Sequence, residues 1–342
     1  MRSSGRRAGD RSQPTREERL STRAGLVVAS YGRHCVVEHA AVEHAQVEHA
    51  GIENTAAQAS LQRTICHPRG KKSTVVVGDH VQWLPSKDEG TIETIDTRRN
   101  LLYRQDEIRT KAFAANLDQV LILIAAEPEF SEHQLTRALI ACEDACITPI
   151  IALNKSDLPE LFAHAWQRLA PYRAMNYAVL PLSLKRSGEE DKALLMQQLR
   201  GRTTLVLGPS GSGKSTLINL LCPGARVLTN EISQALNSGK HTTTSTTLYW
   251  VESGTALIDS PGFQEFGLHH IKPMELAQRM PDIKAQASNC KFYNCTHLHE
   301  PGCGVLATLK SEENGQCQRE IALSRYRIYS ELFAELSAPP KY

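Results

Sequence analysis

The sequence predicts a multidomain α/β protein, and three observations predict it. Short β-type runs separated by turn residues, with no convincing helix, fill Gly25 to about Asp106. From Asn116 onward, strand-sized apolar runs alternate with helical stretches, the pattern of a mainly parallel sheet covered by helices. Near the C-terminus, three cysteines with histidines among them fall within 14 residues. The chain's 342 residues have room for three such units.

In the first region, Leu26-Val27-Val28 and Cys35-Val36-Val37 flank Tyr31-Gly32, and Ser73–Val77 leads to Gly78-Asp79. The alternating His80–Leu84 follows, then a turn near Pro85–Gly90 and the run Thr91–Ile95. Such spacing predicts a small β-barrel, of which the oligonucleotide-binding (OB) barrel is one solution. Arg69, Lys71, Lys72, Arg98, Arg99 and Arg104 could form a basic face, with Trp83 or Tyr103 as a stacking platform. The bland alternative is core aromatics and solvated cations.

Inside this region Val37-Glu38-His39-Ala40 recurs as Val42–Ala45 and Val47–Ala50, a period of five. Five residues turn about 140° around a helix and change faces along a strand, so neither element gains an apolar stripe. The repeat reads as a solvated insertion in a barrel hairpin, with metal capture by His39, His44 and His49 as the lesser reading.

In the second region Val120–Ala125 is a buried-type strand, and Ser131 can cap a helix through about Cys146. The strand Pro149–Leu153, a helix around Leu158–Leu169, the strand Ala178–Leu182, a helix near Asp191–Leu199 and the strand Thr204–Leu207 follow. Ligands of such sheets bind at the carboxyl ends of the strands.

Composition narrows the rest. With 41% hydrophobic and 22% charged residues the chain is not wholly disordered. No apolar run approaches the roughly 18–20 residues of a membrane span, and no secretory signal is visible. Nine cysteines then argue for a reducing compartment, with some holding metal. The net charge of +2 announces no nucleic-acid binder. Residues 1–24 carry seven arginines against Asp10, Glu17 and Glu18, so a basic arm without apolar period opens the chain.

At the end of Leu205-Val206-Leu207 stands Gly208-Pro209-Ser210-Gly211-Ser212-Gly213-Lys214-Ser215, a full phosphate loop in strand–loop–helix context. Its glycines let backbone amides converge on phosphate oxygens at the positive end of the next helix. Lys214 supplies a point charge to the outer phosphates, Ser215 can ligate Mg²⁺, and Thr216 follows in the GTP-binding set. Asn154-Lys155-Ser156-Asp157 ends the strand Ile150–Leu153, where a base contact belongs. The Asp157 carboxylate can accept from guanine N1–H and its exocyclic amine, whereas adenine would leave it unpaired. Ser183-Leu184-Lys185 fits a weaker base-supporting motif. Ala256–Gly262 ends a further strand in Asp-x-x-Gly, placing Asp259 for the Mg²⁺ shell and the Gly262 amide for the γ-phosphate. The polar stretch Ser238–Ser245 suits a switch, with Thr243 favoured over Thr242 and Thr244 for the metal. The guanine motif precedes the phosphate loop by about 54 residues, the reverse of ordinary GTPases. The domain is therefore circularly permuted.

With this order, with Gly25–Gly32, with His241-Thr242-Thr243-Thr244 and with Asp259–Gly262 followed by Glu265-Phe266-Gly267-Leu268, the chain resembles the RsgA/YjeQ family of small-ribosomal-subunit biogenesis GTPases. The likeness runs from about Gly25 to past Cys303. It implies an N-terminal OB barrel, a permuted GTPase domain, a C-terminal zinc domain, and GTP hydrolysis stimulated by the 30S subunit during late maturation. The repeat and the basic arm depart from the family pattern.

Cys290-x4-Cys295-x-His297-x5-Cys303 offers three thiolates and one imidazole, a closed set suited to one structural zinc ion. His299 rivals His297, and the resemblance selects His297. Cys35, Cys66, Cys142, Cys146, Cys222 and Cys317 read as packing residues. Ras-like enzymes orient the attacking water with a glutamine after Asp-x-x-Gly, but here that place is Phe263 and Gln264 comes one residue late. The resemblance likewise carries a hydrophobic residue there. His241 is the candidate to orient or deprotonate water, against a contact to RNA or phosphate.

The expected division is a disordered basic arm over 1–24, a barrel with the repeat insertion over 25–110, a permuted GTPase domain over 111–280, and a zinc-binding domain with a C-terminal helix over 281–342. The expected protein is a cytoplasmic, monomeric GTPase using GTP with Mg²⁺. It binds the small ribosomal subunit and its rRNA and no membrane. The rivals are a GTP-regulated RNA-binding scaffold with incidental hydrolysis and a P-loop ATPase or kinase.

Overall fold

A computed structural model describes residues 22–31, 34–41, 61–70, 75–86, 89–107, 109–225, 245–260, 266–309 and 321–339. Its N-terminal strands are β1 (Arg23–Tyr31), β2 (His34–Ala40), β3 (Leu61–Pro68), β4 (His80–Leu84) and β5 (Gly90–Ile95). They pair in the order β1-β2-β3-β5-β4, and a β4–β1 pairing closes the circuit into the OB-like barrel. Val27, Val37, Cys66, Val81, Trp83 and Ile92 fill its interior, the inward members of alternating strands.

Several expectations change here. Strand β3 lies in a stretch that carries little apolar alternation, and pairing with β2 over Cys35↔Cys66 to Ala40↔Leu61 holds it in place. The expected strand Ser73–Val77 reduces, among described residues, to a single bridge from Val77 to Ala114. A turn closes there, with the Asp79 carboxylate accepting from the Val76 amide at 2.9 Å. Trp83 is core, so it offers no stacking face. Three members of the expected basic face are paired: Arg98 grips Asp79 through two nitrogens at 2.7 and 2.8 Å, Arg69 meets Glu93 and Arg99 meets Asp118, while Lys71 and Lys72 lie outside the described residues. His39 is buried in β2, its ring 4.8 Å from that of Trp83 and its Nε2 2.9 Å from the Thr64 hydroxyl. His44 and His49 lie outside the described residues, as do residues 1–21 of the arm.

A hairpin of β6 (Leu101–Gln105) and β7 (Thr110–Ala115) leads into the second unit. This contains β8 (Gln119–Ala125), α1 (Glu132–Asp144), β9 (Thr148–Asn154), α2 (Pro159–Arg168), α3 (Ala170–Ala174), β10 (Ala178–Pro181), α4 (Gly188–Leu199), β11 (Thr203–Leu207), α5 (Lys214–Leu221), β12 (Thr246–Glu252) and β13 (Thr255–Asp259). The sheet order is β10-β9-β8-β11-β13-β12, parallel except for β12. Each of the seven residues of β8 is buried, as a strand covered on both faces requires. Ser131 caps α1 as the sequence predicts, accepting from the Gln134 amide at 3.2 Å.

Strand β12 also pairs antiparallel with β1, so the barrel and the α/β sheet are hydrogen-bonded to each other. The Trp250 indole donates to Glu38 at 2.7 Å across this seam, and Arg63 holds the other carboxylate oxygen at 2.9 Å. The C-terminal unit comprises a 3₁₀ turn (Pro273–Arg279), α6 (Pro281–Ala287), α7 (Gly304–Leu309) and α8 (Leu323–Ser337). Arg325 of α8, 1% exposed, binds Asp282 at 2.8 and 3.1 Å and the Thr136 hydroxyl of α1 at 2.7 Å. No helix among the described residues is long and apolar enough to cross a membrane.

Candidate functional site

The permuted chain order brings its motifs to one edge. Asn154 ends β9, Ser183 follows β10, Gly208 follows β11 and Asp259 ends β13, all at carboxyl ends of parallel strands. The loop from Gly208 enters α5 at Lys214, with Gly213 as its cap at φ +102°. A Cβ there would lie 2.4 Å from the Asn154 amide nitrogen, so the position demands glycine on both conformation and space.

Asn154 is the joint of the site. Its carboxamide donates to the Ser212 carbonyl at 2.9 Å and accepts from the Leu184 amide at 3.2 Å. It thereby ties the phosphate loop to the segment after β10. Lys155 adopts φ +69° and Ser156 donates its amide to the Leu182 carbonyl, which turns the chain so that Asp157 faces Ser183. The Ser183 hydroxyl donates to Asp157 at 3.0 Å, and the Arg186 guanidinium lies 4.0 Å from the other oxygen. This leaves a partly exposed carboxylate held in one orientation at the rim, able to accept two hydrogen bonds from one edge of a base.

Lys214 reaches across the loop. Its ammonium lies 2.9 Å from Asp259 and also donates to the Ser260 carbonyl. Ser210 and Gly211 form the turn of the loop, and the Pro209 carbonyl accepts the Ser212 amide at 3.2 Å. Ser215 and Thr216 are the second and third residues of α5. His241, Thr243 and Gly262 lie outside the described residues.

Sequence reasoning missed one supporting group. Asp191 on α4 accepts from the Ser183 amide at 2.7 Å and so fixes the turn that presents Ser183. Burial lifts its carboxyl above the ordinary range, with the Ser183 amide working the other way. A buried acid in the first turn of α4 is the only trace of this in the sequence.

In the C-terminal unit the ligand atoms of Cys290, Cys295, His297 and Cys303 all lie within 4.8 Å of one another. The Cys290–Cys303 sulfur separation is 3.8 Å, and His297 Nδ1 lies 3.4 and 3.5 Å from those two sulfurs. A tetrahedral zinc site with bonds near 2.3 Å to sulfur and 2.0–2.1 Å to nitrogen has edges of about 3.8 and 3.5 Å. The donor set and its spacing therefore fit zinc, and His299 is outside the cluster. The Tyr326 and Tyr329 hydroxyls of α8 donate to the His297 and Thr296 carbonyls, bracing the loop from beneath. Cys35, Cys66, Cys142 and Cys222 are buried, and burial pushes the Cys35 and Cys66 thiols up to about 11 and about 12, so they serve packing. Cys146 is exposed, and Cys317 lies outside the described residues.

A family model described as RsgA GTPase matches residues 95–269. A relative from Variovorax paradoxus (strain S110), called small ribosomal subunit biogenesis GTPase RsgA, is 67% identical over 92% of this chain and 92% of its own. One of the same name from Paraburkholderia xenovorans (strain LB400) is 49% identical over 93% and 95%. Among solved structures, YjeQ from Thermotoga maritima superimposes with TM-score 0.65 at 28% identity, covering 93% of this chain and 99% of that one. YloQ, titled a circularly permuted GTPase, gives 0.64 at 27% identity over 96% and 100%.

Proposed function

We propose, from the premise that this chain belongs to the RsgA GTPase family and is a GTP hydrolase, that it docks on the small (30S) ribosomal subunit late in that particle's maturation and that docking stimulates its turnover. In this reading the protein is a cytoplasmic monomer whose nucleotide state controls its residence on the subunit and its rRNA. The observation that carries the GTP assignment is the Asp157 carboxylate, oriented by Ser183 and joined through Asn154 to the phosphate loop.

The backbone amides of Gly208–Gly213 cradle the phosphates, and Lys214 leaves Asp259 to engage the outer ones. Ser215, Asp259 and Thr243 hold the Mg²⁺, which when bound neutralises charge developing on the transferred phosphoryl group. The Gly262 amide senses the γ-phosphate. Phe263 cannot orient water, and His241 takes that role once the partner orders the switch. Cys290, Cys295, His297 and Cys303 hold one structural zinc ion, which supplies folding energy to the C-terminal unit.

The test has three arms. Titrations with GTP and ATP show at least a hundredfold preference for GTP; equal affinity makes the protein a general P-loop ATPase or kinase. Turnover rises on adding purified 30S particles and stays basal with 50S particles; no rise removes the ribosome reading and favours incidental hydrolysis on a scaffold. His241→Ala loses the stimulated rate while still binding GTP, and an unchanged stimulated rate removes the catalytic assignment.

A further inference from the structure

Between its first two candidate metal ligands the C-terminal unit displays Lys291, Phe292, Tyr293 and Asn294, all exposed. Tyr293 is 103% exposed, so its ring has no intramolecular use, and Phe292 is 41% exposed. The loop that carries them is well held. Cys290 and Cys295 bound it, the Lys291 amide donates to the Gly302 carbonyl at 3.0 Å, and the Cys295 amide donates to the Phe292 carbonyl at 3.3 Å. Gly302, at φ +75°, admits the Lys291 side chain where any Cβ would sit 3.2 Å from it. The Lys291 ammonium lies 5.7 Å from the Phe292 ring centre.

Two open rings beside one ammonium present π faces with a phosphate partner close by. Their exposed neighbours Ser288, Asn289 and Asn294 are polar, so the rings are not the centre of a contiguous apolar patch that a protein partner would cover. Residues 281–342 carry seven basic and seven acidic side chains, so bulk charge cannot hold this unit on RNA. Stacking is the contact that remains. We propose that Phe292 and Tyr293 form a stacking platform for an unpaired base of ribosomal RNA, with Lys291 on an adjacent phosphate. This rests on the small-subunit reading above.

The test uses the full chain and its Tyr293→Ala, Tyr293→Phe and Lys291→Ala variants, with purified 30S particles and a non-hydrolysable GTP analogue over a range of salt. Tyr293→Ala weakens binding about 5- to 100-fold, keeps its zinc content and leaves the salt slope unchanged, while Tyr293→Phe binds like the parent. Lys291→Ala lowers the salt slope by about one. Chemical probing finds an rRNA base shielded by the parent and open with Tyr293→Ala. Unchanged binding by Tyr293→Ala overturns the proposal. So does weakened binding with no base changing reactivity, which makes a ribosomal protein the partner. If the parent itself ignores 30S particles, the small-subunit reading fails. Binding of a mixed-sequence single-stranded RNA, lost or kept in Tyr293→Ala, then decides the platform alone.

Discussion

The carboxamide of Asn154 bonds the Ser212 carbonyl at 2.9 Å across 58 residues of chain. The same side chain also accepts the Leu184 amide, so in this permuted domain one residue ties the base-side loop to the phosphate loop. Asn154→Ala leaves a buried carbonyl and a buried amide without partners, at about 1–3 kcal/mol each. GTP affinity falls tenfold or more and Tm drops by several degrees, read by nucleotide titration and thermal melting. An Asn154→Ala protein with parental affinity means the two loops are positioned independently.

In the proposed function Asp157 sets the identity of the base. Replacing its carboxylate with a carboxamide removes one acceptor and presents a donor to guanine's amine. Loss of charge-assisted bonds costs about 1.5–3 kcal/mol, so Asp157→Asn weakens GTP roughly 10- to 150-fold. Xanthosine triphosphate, with a carbonyl where guanine has the amine, binds this variant better than GTP does. Competition among GTP, XTP and ATP reads the order, and an unaltered GTP preference places base recognition elsewhere.

What the sequence made legible follows from range. The phosphate loop, Asn154–Asp157, Asp259 and the Cys290–Cys303 cluster are contiguous signals at strand ends or in one loop, and alternating apolar runs show where those strands stop. Contacts between distant segments left no such mark. Three arginines of the expected basic face are instead paired, because Arg98, Arg99 and Arg69 find acids 19 to 24 residues away. Strand β3 is held by its neighbour rather than by its own alternation, and Asp191 acts on a turn eight residues earlier. Pairing partners of this kind are chosen by topology, which composition does not report.

Below pH 6.5 one buried imidazole works against the fold. His270 packs on Tyr103 with ring centres 4.5 Å apart, and burial lowers its pKa from 6.5, with Asp144 opposing and His269 adding to the shift. A folded-state value below the unfolded one means the unfolded chain binds the proton first. The stability is whole above 6.5 and is lost as pH falls from there through the folded value. His270→Gln flattens the Tm-versus-pH curve between about pH 7 and 5, and a parental slope in that variant assigns the loss to other groups.

Removal of the metal tests the cysteine cluster. Cys290→Ser takes one of three sulfurs from a cage whose edges fit zinc. Stoichiometric zinc falls from one per chain to well below it, and the C-terminal unit loses protection from hydrogen exchange. Because the proposed nucleotide residues lie at the ends of β9, β11 and β13, away from this cluster, GTP affinity in the variant stays within a few-fold of the parent. A variant retaining one tightly held zinc ion excludes Cys290 as a ligand.

Arg325 and Asp282 pair within that unit, and Arg325 carries it onto α1 of the GTPase domain. Both are almost fully buried, and the guanidinium also bonds Thr136 of α1 and lies 5.1 Å from the Tyr172 ring. Breaking a buried pair from one side strands an uncompensated charge, at about 3–5 kcal/mol. Asp282→Ala and Arg325→Ala each lower Tm by several degrees. The double variant Asp282→Leu/Arg325→Met, which removes both charges and refills the volume, recovers much of the loss because no lone ion remains. Chemical denaturation of the three proteins reads the coupling. A double variant as unstable as the sum of the single ones shows that the two residues act separately, and that the clamp between α6, α8 and α1 rests on packing rather than on this ion pair.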